Sequence, residues 1–160
     1  MVDILAVSAA HPEVRFNTGD IVMSEGSSDG AIWVLVSGAL SVRKGDVVVG
    51  VVTDHGAMLG EVSVLLRTGH SATVEATEPS VMRRIADGHG LLASEPEVTR
   101  QVAIGLAQRL TFVTTYLADL THQYGDAPGL TMVSSVLRDL EQRSGTIATP
   151  GSLREPDPEY

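Results

Sequence analysis

The chain of 160 residues contains no cysteine. That absence excludes a disulfide scaffold, thiol nucleophiles and cysteine-ligated zinc, and it suits a reducing compartment. Aromatic residues are scarce, with one Trp, three Tyr and two Phe, so any core must be aliphatic. Basic residues are outnumbered, 11 Lys and Arg against 20 Asp and Glu, for a net charge of −9. Without a basic patch to displace counterions, nucleic-acid binding is not expected. No apolar run is long enough for a membrane span, and Met1-Val2-Asp3 lacks the basic start of a signal peptide; a cytoplasmic location is the expectation. What is present, 43% hydrophobic residues, supports one domain with a buried core and an appendage.

One stretch organises the rest. Gly56 and Gly60 open a loop with Glu61 at its mouth, and a one-turn apolar segment, Val62 to Leu66, follows. A polar bend, Arg67 to Ser71, then leads into the alternating strand Ala72-Thr73-Val74-Glu75-Ala76. Glycines let backbone N–H groups converge on an anion, and a short helix starting at Glu61 directs its positive end to the same point. This is the layout of a small phosphate cradle. His70 stands on the bend where an arginine fork would suit a phosphate better.

Elsewhere, residues 2–10 suggest a short helix ending near Pro12. From Glu13 the period becomes two. Short strands are expected around Val14 and Phe16, Ile21 to Met23, Ala31 to Val36, Leu40 to Val42, Val47 to Val49, Val51-Val52 and Val81 to Ile85. Turns rich in Gly, Asn and Asp separate them, which indicates a closed or two-sheet β structure of jelly-roll type. From Gly88 the period becomes 3.6. Leu91 and Leu92 begin a short helix, and Pro96 fits the first position of a long one reaching about Tyr124. Leu106, Leu110, Val113, Leu117, Leu120 and Tyr124 recur at alternating spacings of four and three, a heptad seam. Such a seam either packs on the β structure or pairs two copies. Val102, Ala103 and Ile104 already offer a separate face for packing, so a homodimer is expected. Gly125 to Gly129 breaks the helix, and an amphipathic helix from about Thr131 to Arg143 follows. Residues 146–160, with three prolines, read as a disordered tail.

Other signals are weaker. Gly26-Ser27-Ser28-Asp29-Gly30 fits the G-x-S-x-G pattern of hydrolases, but a strand rather than a helix follows Ser28, so it reads as a polar turn. His11, His55, His70, His89 and His122 form no H-x-H or H-x-x-x-H pair, which argues against a metal site. Glu61 alone is ordinarily a helix-start carboxylate. No enzymatic constellation remains.

Taken together, Phe16-Asn17-Thr18-Gly19-Asp20-Ile21, Glu25-Gly26, Ile32-Trp33-Val34-Leu35-Val36-Ser37-Gly38, Gly56-Ala57-Met58-Leu59-Gly60-Glu61 and Ser71-Ala72-Thr73-Val74 resemble the cyclic nucleotide-binding domain family. That family includes the catabolite activator protein and the regulatory subunit of protein kinase A. The resemblance implies a mainly β, α+β fold: an eight-stranded β-roll with a short N-terminal helix and a long C-terminal helix. The corresponding organisation is an N-terminal helical segment (1–12), the roll with its long helix (13–124), a helical appendage (125–145) and the tail (146–160). It also implies that the central stretch is a phosphate-binding cassette for cAMP or cGMP. Glu61 would accept the ribose hydroxyl, while the backbone at Gly60, Val62 and Ser63 would face ribose and phosphate. Ser71 and Ala72 would contact the cyclic phosphate, and Thr111 to Thr115 could supply a lid over the base. The family's phosphate-clasping arginine falls on His70.

An imidazole, with an ordinary pKa of about 6.5, forms no bidentate fork and is largely neutral at pH 7. Losing a charged, desolvated phosphate contact costs about 1.5–3 kcal/mol, ten- to more than a hundred-fold in affinity. A phosphate held by protonated His70 would bind better toward pH 6. Arg67 could reach in as a substitute but reads as an exposed loop arginine. The remainder after Tyr124 is too short for a winged helix-turn-helix. The expectation is therefore a stand-alone regulatory module that binds a cyclic nucleotide, or a related phosphate ligand, weakly. The other reading is a degenerate, dimeric protein-interaction scaffold with no bound nucleotide.

Overall fold

The computed structural model describes residues 1–124 and 131–142. The chain divides into two units, the first Met1–Gly105 and the second beginning at Leu106. The break before Thr131 and the tail after Gln142 lie outside the described residues.

The first unit contains two four-stranded antiparallel sheets. Strands β1 (Glu13–Phe16), β8 (Ser80–Ile85), β3 (Ile32–Ser37) and β6 (Met58–Leu59) form one, in that order. The other runs β2 (Ile21–Met23), β7 (Thr73–Ala76), β4 (Leu40–Lys44) and β5 (Val47–Val52). The uninterrupted apolar run of β3 has a physical cause: it is covered on both faces. Trp33 and Leu35 point into a core with Met23, Leu40, Val74, Ala76 and Met82, contributed by both sheets. Ile32 and Val34 point the other way, into a second core with Ile4, Val64, Ile85 and Val98. Trp33 meets Phe16 edge-on at 5.7 Å between ring centroids. Ile32 is fully buried, so Ile32→Val should cost about 0.5–1.5 kcal/mol. Urea unfolding checks this, read as a lower midpoint at unchanged slope.

The N-terminal helix α1 covers only Ile4–Val7, because Asp3 caps it through Oδ1 to the N–H groups of Leu5 and Ala6 and Ser8 ends it. Helix α2 is Glu61–Leu66 and α3 is Gly88–Ser94. The long helix α4 starts at Pro96 and ends at Tyr124. Val98 and Val102 of its first turns are buried in the first unit. The second unit contains α4 from Leu106 onward and α5 (Thr131–Gln142).

The eight strands, the short helices and the long C-terminal helix are those expected of a β-roll. The two-residue β6, which pairs Leu59 with Trp33, is too short to carry a period and was not legible.

Candidate functional site

The segment between β6 and β7 is built around conformations that only particular residues tolerate. Gly60 has φ +89, and a Cβ there would lie 2.7 Å from the Ala31 carbonyl oxygen. This position therefore needs glycine both for its backbone angle and for its approach to β3. Helix α2 follows without a side-chain cap and ends at Arg67, in the left-handed region at φ 54. The buried face of α2 is formed by Glu61, Ser63 and Val64, whereas Leu65 and Leu66 are exposed. Glu61 is only 5% exposed, an unusual setting for a carboxylate at a helix start. Val62 is half-buried, Ser71 is exposed and Ala72 is half-buried.

A second loop is seated against the bend. The Gly26 N–H donates to the His70 carbonyl at 2.8 Å, and the His70 N–H donates to the Ser27 carbonyl at 2.7 Å. A Cβ on Gly69 would stand 2.5 Å from the Gly26 carbonyl oxygen, so the two backbones are in direct contact. The G-x-S-x-G turn is thus the cover of the bend. It lies between two strands, with no helix after Ser28.

This cover explains why His70 is 6% exposed rather than solvated. Its ring has partners on both sides. Nδ1 lies 3.0 Å from Ser63 Oγ, and Nε2 lies 3.6 Å from Asp29 Oδ1. Ser63 Oγ also donates to the Gly60 carbonyl at 2.8 Å. Ser63 Oγ thus stands within hydrogen-bond distance of both the Gly60 carbonyl and the imidazole. The imidazole therefore ties α2 to the covering loop. Ser63, His70 and Asp29 share the connectivity of a nucleophile–base–acid chain, but the Ser63 side chain is buried. A buried hydroxyl already in contact with the Gly60 carbonyl is not presented to a substrate, as nucleophilic catalysis requires.

Asp29 is the junction of the cover, and nothing in the linear sequence marked it. Its Oδ1 accepts from the Ala31 N–H at 3.0 Å, and its Oδ2 accepts from Arg84 at 3.2 Å. Arg84 lies over the Trp33 ring, 5.8 Å from its centroid. Burial pushes the Asp29 carboxyl up, but the Ala31 N–H, Arg84 and His70 together outweigh it and hold the group below the usual aspartate range. A carboxylate with a depressed folded pKa stabilises the native state above its unfolded pKa of about 3.9, and that contribution fades as pH falls through the folded value. The stability gap between the parent and Asp29→Asn should therefore be full at pH 5 and shrink below about pH 4. Urea unfolding across that range measures it; a gap constant with pH would remove Asp29 from this role.

The same loop is tied to the β4–β5 hairpin. Glu25 accepts from Lys44 Nζ and from the Gly45 N–H at 3.0 Å, and these contacts hold its carboxyl below the usual range. The Glu25 N–H donates to Thr73 Oγ1 at 3.0 Å. Arg67, the possible substitute for a missing guanidinium, turns elsewhere: its Nε donates to His89 Nε2 at 3.2 Å. The expected lid, Thr111 to Thr115, belongs to the second unit, which is described by itself. Among the described residues no three His, Asp or Glu side chains gather where a metal ion could bind, and no described helix is long and apolar enough to cross a membrane.

The chain has recognisable relatives. Residues 13–89 match the model of the family described as the cyclic nucleotide-binding domain. No curated protein sequence matches the chain. Among solved structures, a transcriptional regulator from Thermotoga maritima is 16% identical, with TM-score 0.64; the match covers 76% of this chain and 99% of that one. A protein described with a cyclic-GMP-dependent signalling pathway that regulates bacterial phytopathogenesis is 18% identical, with TM-score 0.57, over 69% of this chain and 94% of its own. The regulatory subunit of a cAMP-independent protein kinase A from Trypanosoma brucei is 20% identical, with TM-score 0.52, over 59% of this chain and 35% of its own. At these identities the shared property is the fold.

Proposed function

We propose that this chain, which carries a domain of the cyclic nucleotide-binding family over residues 13–89, is a regulatory module whose 56–74 segment holds a cyclic nucleotide or a related phosphate ligand. The observation that carries this reading is the build of that segment inside the matched region. A glycine in the left-handed region leads into a buried glutamate, and a bend follows that is held in place by a separate covering loop. Glu61 takes the ribose hydroxyl; Gly60, Val62 and Ser63 face ribose and phosphate; Ser71 and Ala72 contact the phosphate. His70 sits where the family has its arginine, and its ring nitrogens already face Ser63 and Asp29. Binding is accordingly weak, lacking the 1.5–3 kcal/mol or so of a charged contact.

Occupancy is read out through α4, whose Val98 and Val102 are buried and which also carries the heptad seam. On that seam Leu110 and Val113 are exposed, flanked by exposed Phe112 and Tyr116, and apolar side chains in water favour a second surface. A homodimer through Leu106, Leu110, Val113, Leu117 and Leu120 is the proposed assembly. The family supports a regulatory rather than a catalytic role, in a soluble setting.

The engagement of both His70 nitrogens favours one alternative, a dimeric interaction scaffold that has lost its ligand. Calorimetric titration with cAMP and with cGMP separates the two. The sensor gives measurable heat with a dissociation constant near the millimolar range, and the scaffold gives none at several millimolar of either nucleotide.

A further inference from the structure

Strand β5 has a surface that the cassette does not explain. It pairs with β4 and closes one end of its sheet order, so one of its edges faces away from the sheet. Val47, Val48, Val49 and Val51 are 56–64% exposed. A Cβ added at Gly50 would meet nothing within 4 Å. No charge or proline interrupts residues 47–53, although exposed edges are ordinarily protected by such residues. The charges come at the ends instead, where Asp46 and Asp54 are both exposed. On the neighbouring strand, Arg43 pairs with Glu75 at 2.6 Å and Lys44 pairs with Glu25, so neither is free to offset them.

We propose that the β5 edge docks an extended segment of another protein, apolar and β-branched in its middle and basic near each end. Backbone pairing along an unfilled edge supplies the framework, alternate side chains meet the valines, and the end charges set the choice of partner. Strand β5, Val47–Val52, is roughly 20 Å long at about 3.3 Å per residue, with Asp46 in the turn before it and Asp54 just beyond it, so a short peptide with two basic ends matches its length.

A second copy fits less well. A two-fold antiparallel pairing centred on Gly50 is the symmetric arrangement that opposes the whole exposed run to itself. That register brings Asp46 of one chain toward Asp54 of the other, like charges in two chains of net charge −9. The bulge between Val48 and Gly50 interrupts a flat ladder, which works against open-ended self-assembly while leaving short runs on either side for a partner.

The test uses the full chain, labelled with 15N, and a short peptide of alternating valine and threonine with a lysine at each end. A counterpart with a glutamate at each end is the control. The lysine-ended peptide should shift the amides of residues 46–54 and bind about ten-fold more tightly than the control, the effect of two surface charge pairs. Val48→Lys and Val51→Lys should abolish the shifts, and Asp46→Asn with Asp54→Asn should erase the preference for lysine. Binding of both peptides alike, or of neither, would overturn the proposal. So would self-association of the chain in sedimentation that Val48→Lys removes, which would assign the edge to a second copy. Peptide binding is read at residues 46–54 and nucleotide binding at residues 56–74, so failure of one is distinguishable from failure of the other.

Discussion

Gly38→Ala should destabilise the chain by roughly 2–6 kcal/mol, enough to leave a marginal domain largely unfolded at 37 °C. Gly38 turns β3 into β4 with φ +98, and a Cβ there would lie 2.6 Å from the Ser80 Cα and 2.2 Å from Ser80 Oγ. Two costs add. The left-handed backbone strains any L side chain by about 1–3 kcal/mol, and overpacking against the fixed backbone of β8 costs about 1–3 kcal/mol more. The Ser80 hydroxyl cannot simply move, because it donates to the Glu78 carbonyl at 2.8 Å and accepts from the Ala39 N–H at 3.2 Å. Thermal unfolding followed by circular dichroism reads the loss. A midpoint within a few degrees of the parent would mean that β8 yields, contrary to the contacts described here.

His70→Arg should tighten cyclic nucleotide binding by about ten- to a hundred-fold, the return of one charged, desolvated phosphate contact. The guanidinium has two usable edges. Asp29, now 3.6 Å from His70 Nε2, can receive one, leaving the other for a phosphate. Ser63 loses its imidazole partner but keeps its bond to the Gly60 carbonyl, so α2 remains anchored. Paired titrations of parent and variant with cAMP and cGMP give the ratio directly. An unchanged affinity, with the variant folded, would show that position 70 does not face the ligand.

The legible and illegible parts of this molecule differ by the range over which their causes act. Residues 31–36 read as a buried strand because six consecutive apolar residues suit a strand covered on both sides, and Trp33 and Ile32 do face different cores. Pro96 marked the start of the long helix through its own fixed backbone angle. Gly60 and Glu61 were singled out from local chemistry. Asp29 could not be: its role arises from contacts with Arg84 and His70, which only the fold brings near. His70 stood out because the resemblance implies an arginine there, while its inward orientation was not legible, because Gly26 to Gly30 was read in isolation as a polar turn. The valines of β5 were read correctly as a strand, yet no pattern within 47–52 distinguishes an outer strand from an inner one.

The cassette itself is tested most directly by following backbone amides of the 15N-labelled parent chain during titration with cAMP to several millimolar. The expected result is saturating shifts concentrated at residues 60–63 and 70–72, with smaller ones at 26–29 where the cover touches the bend. An unchanged spectrum across both segments, from a folded sample, would contradict the assignment of this site to a phosphate-bearing nucleotide.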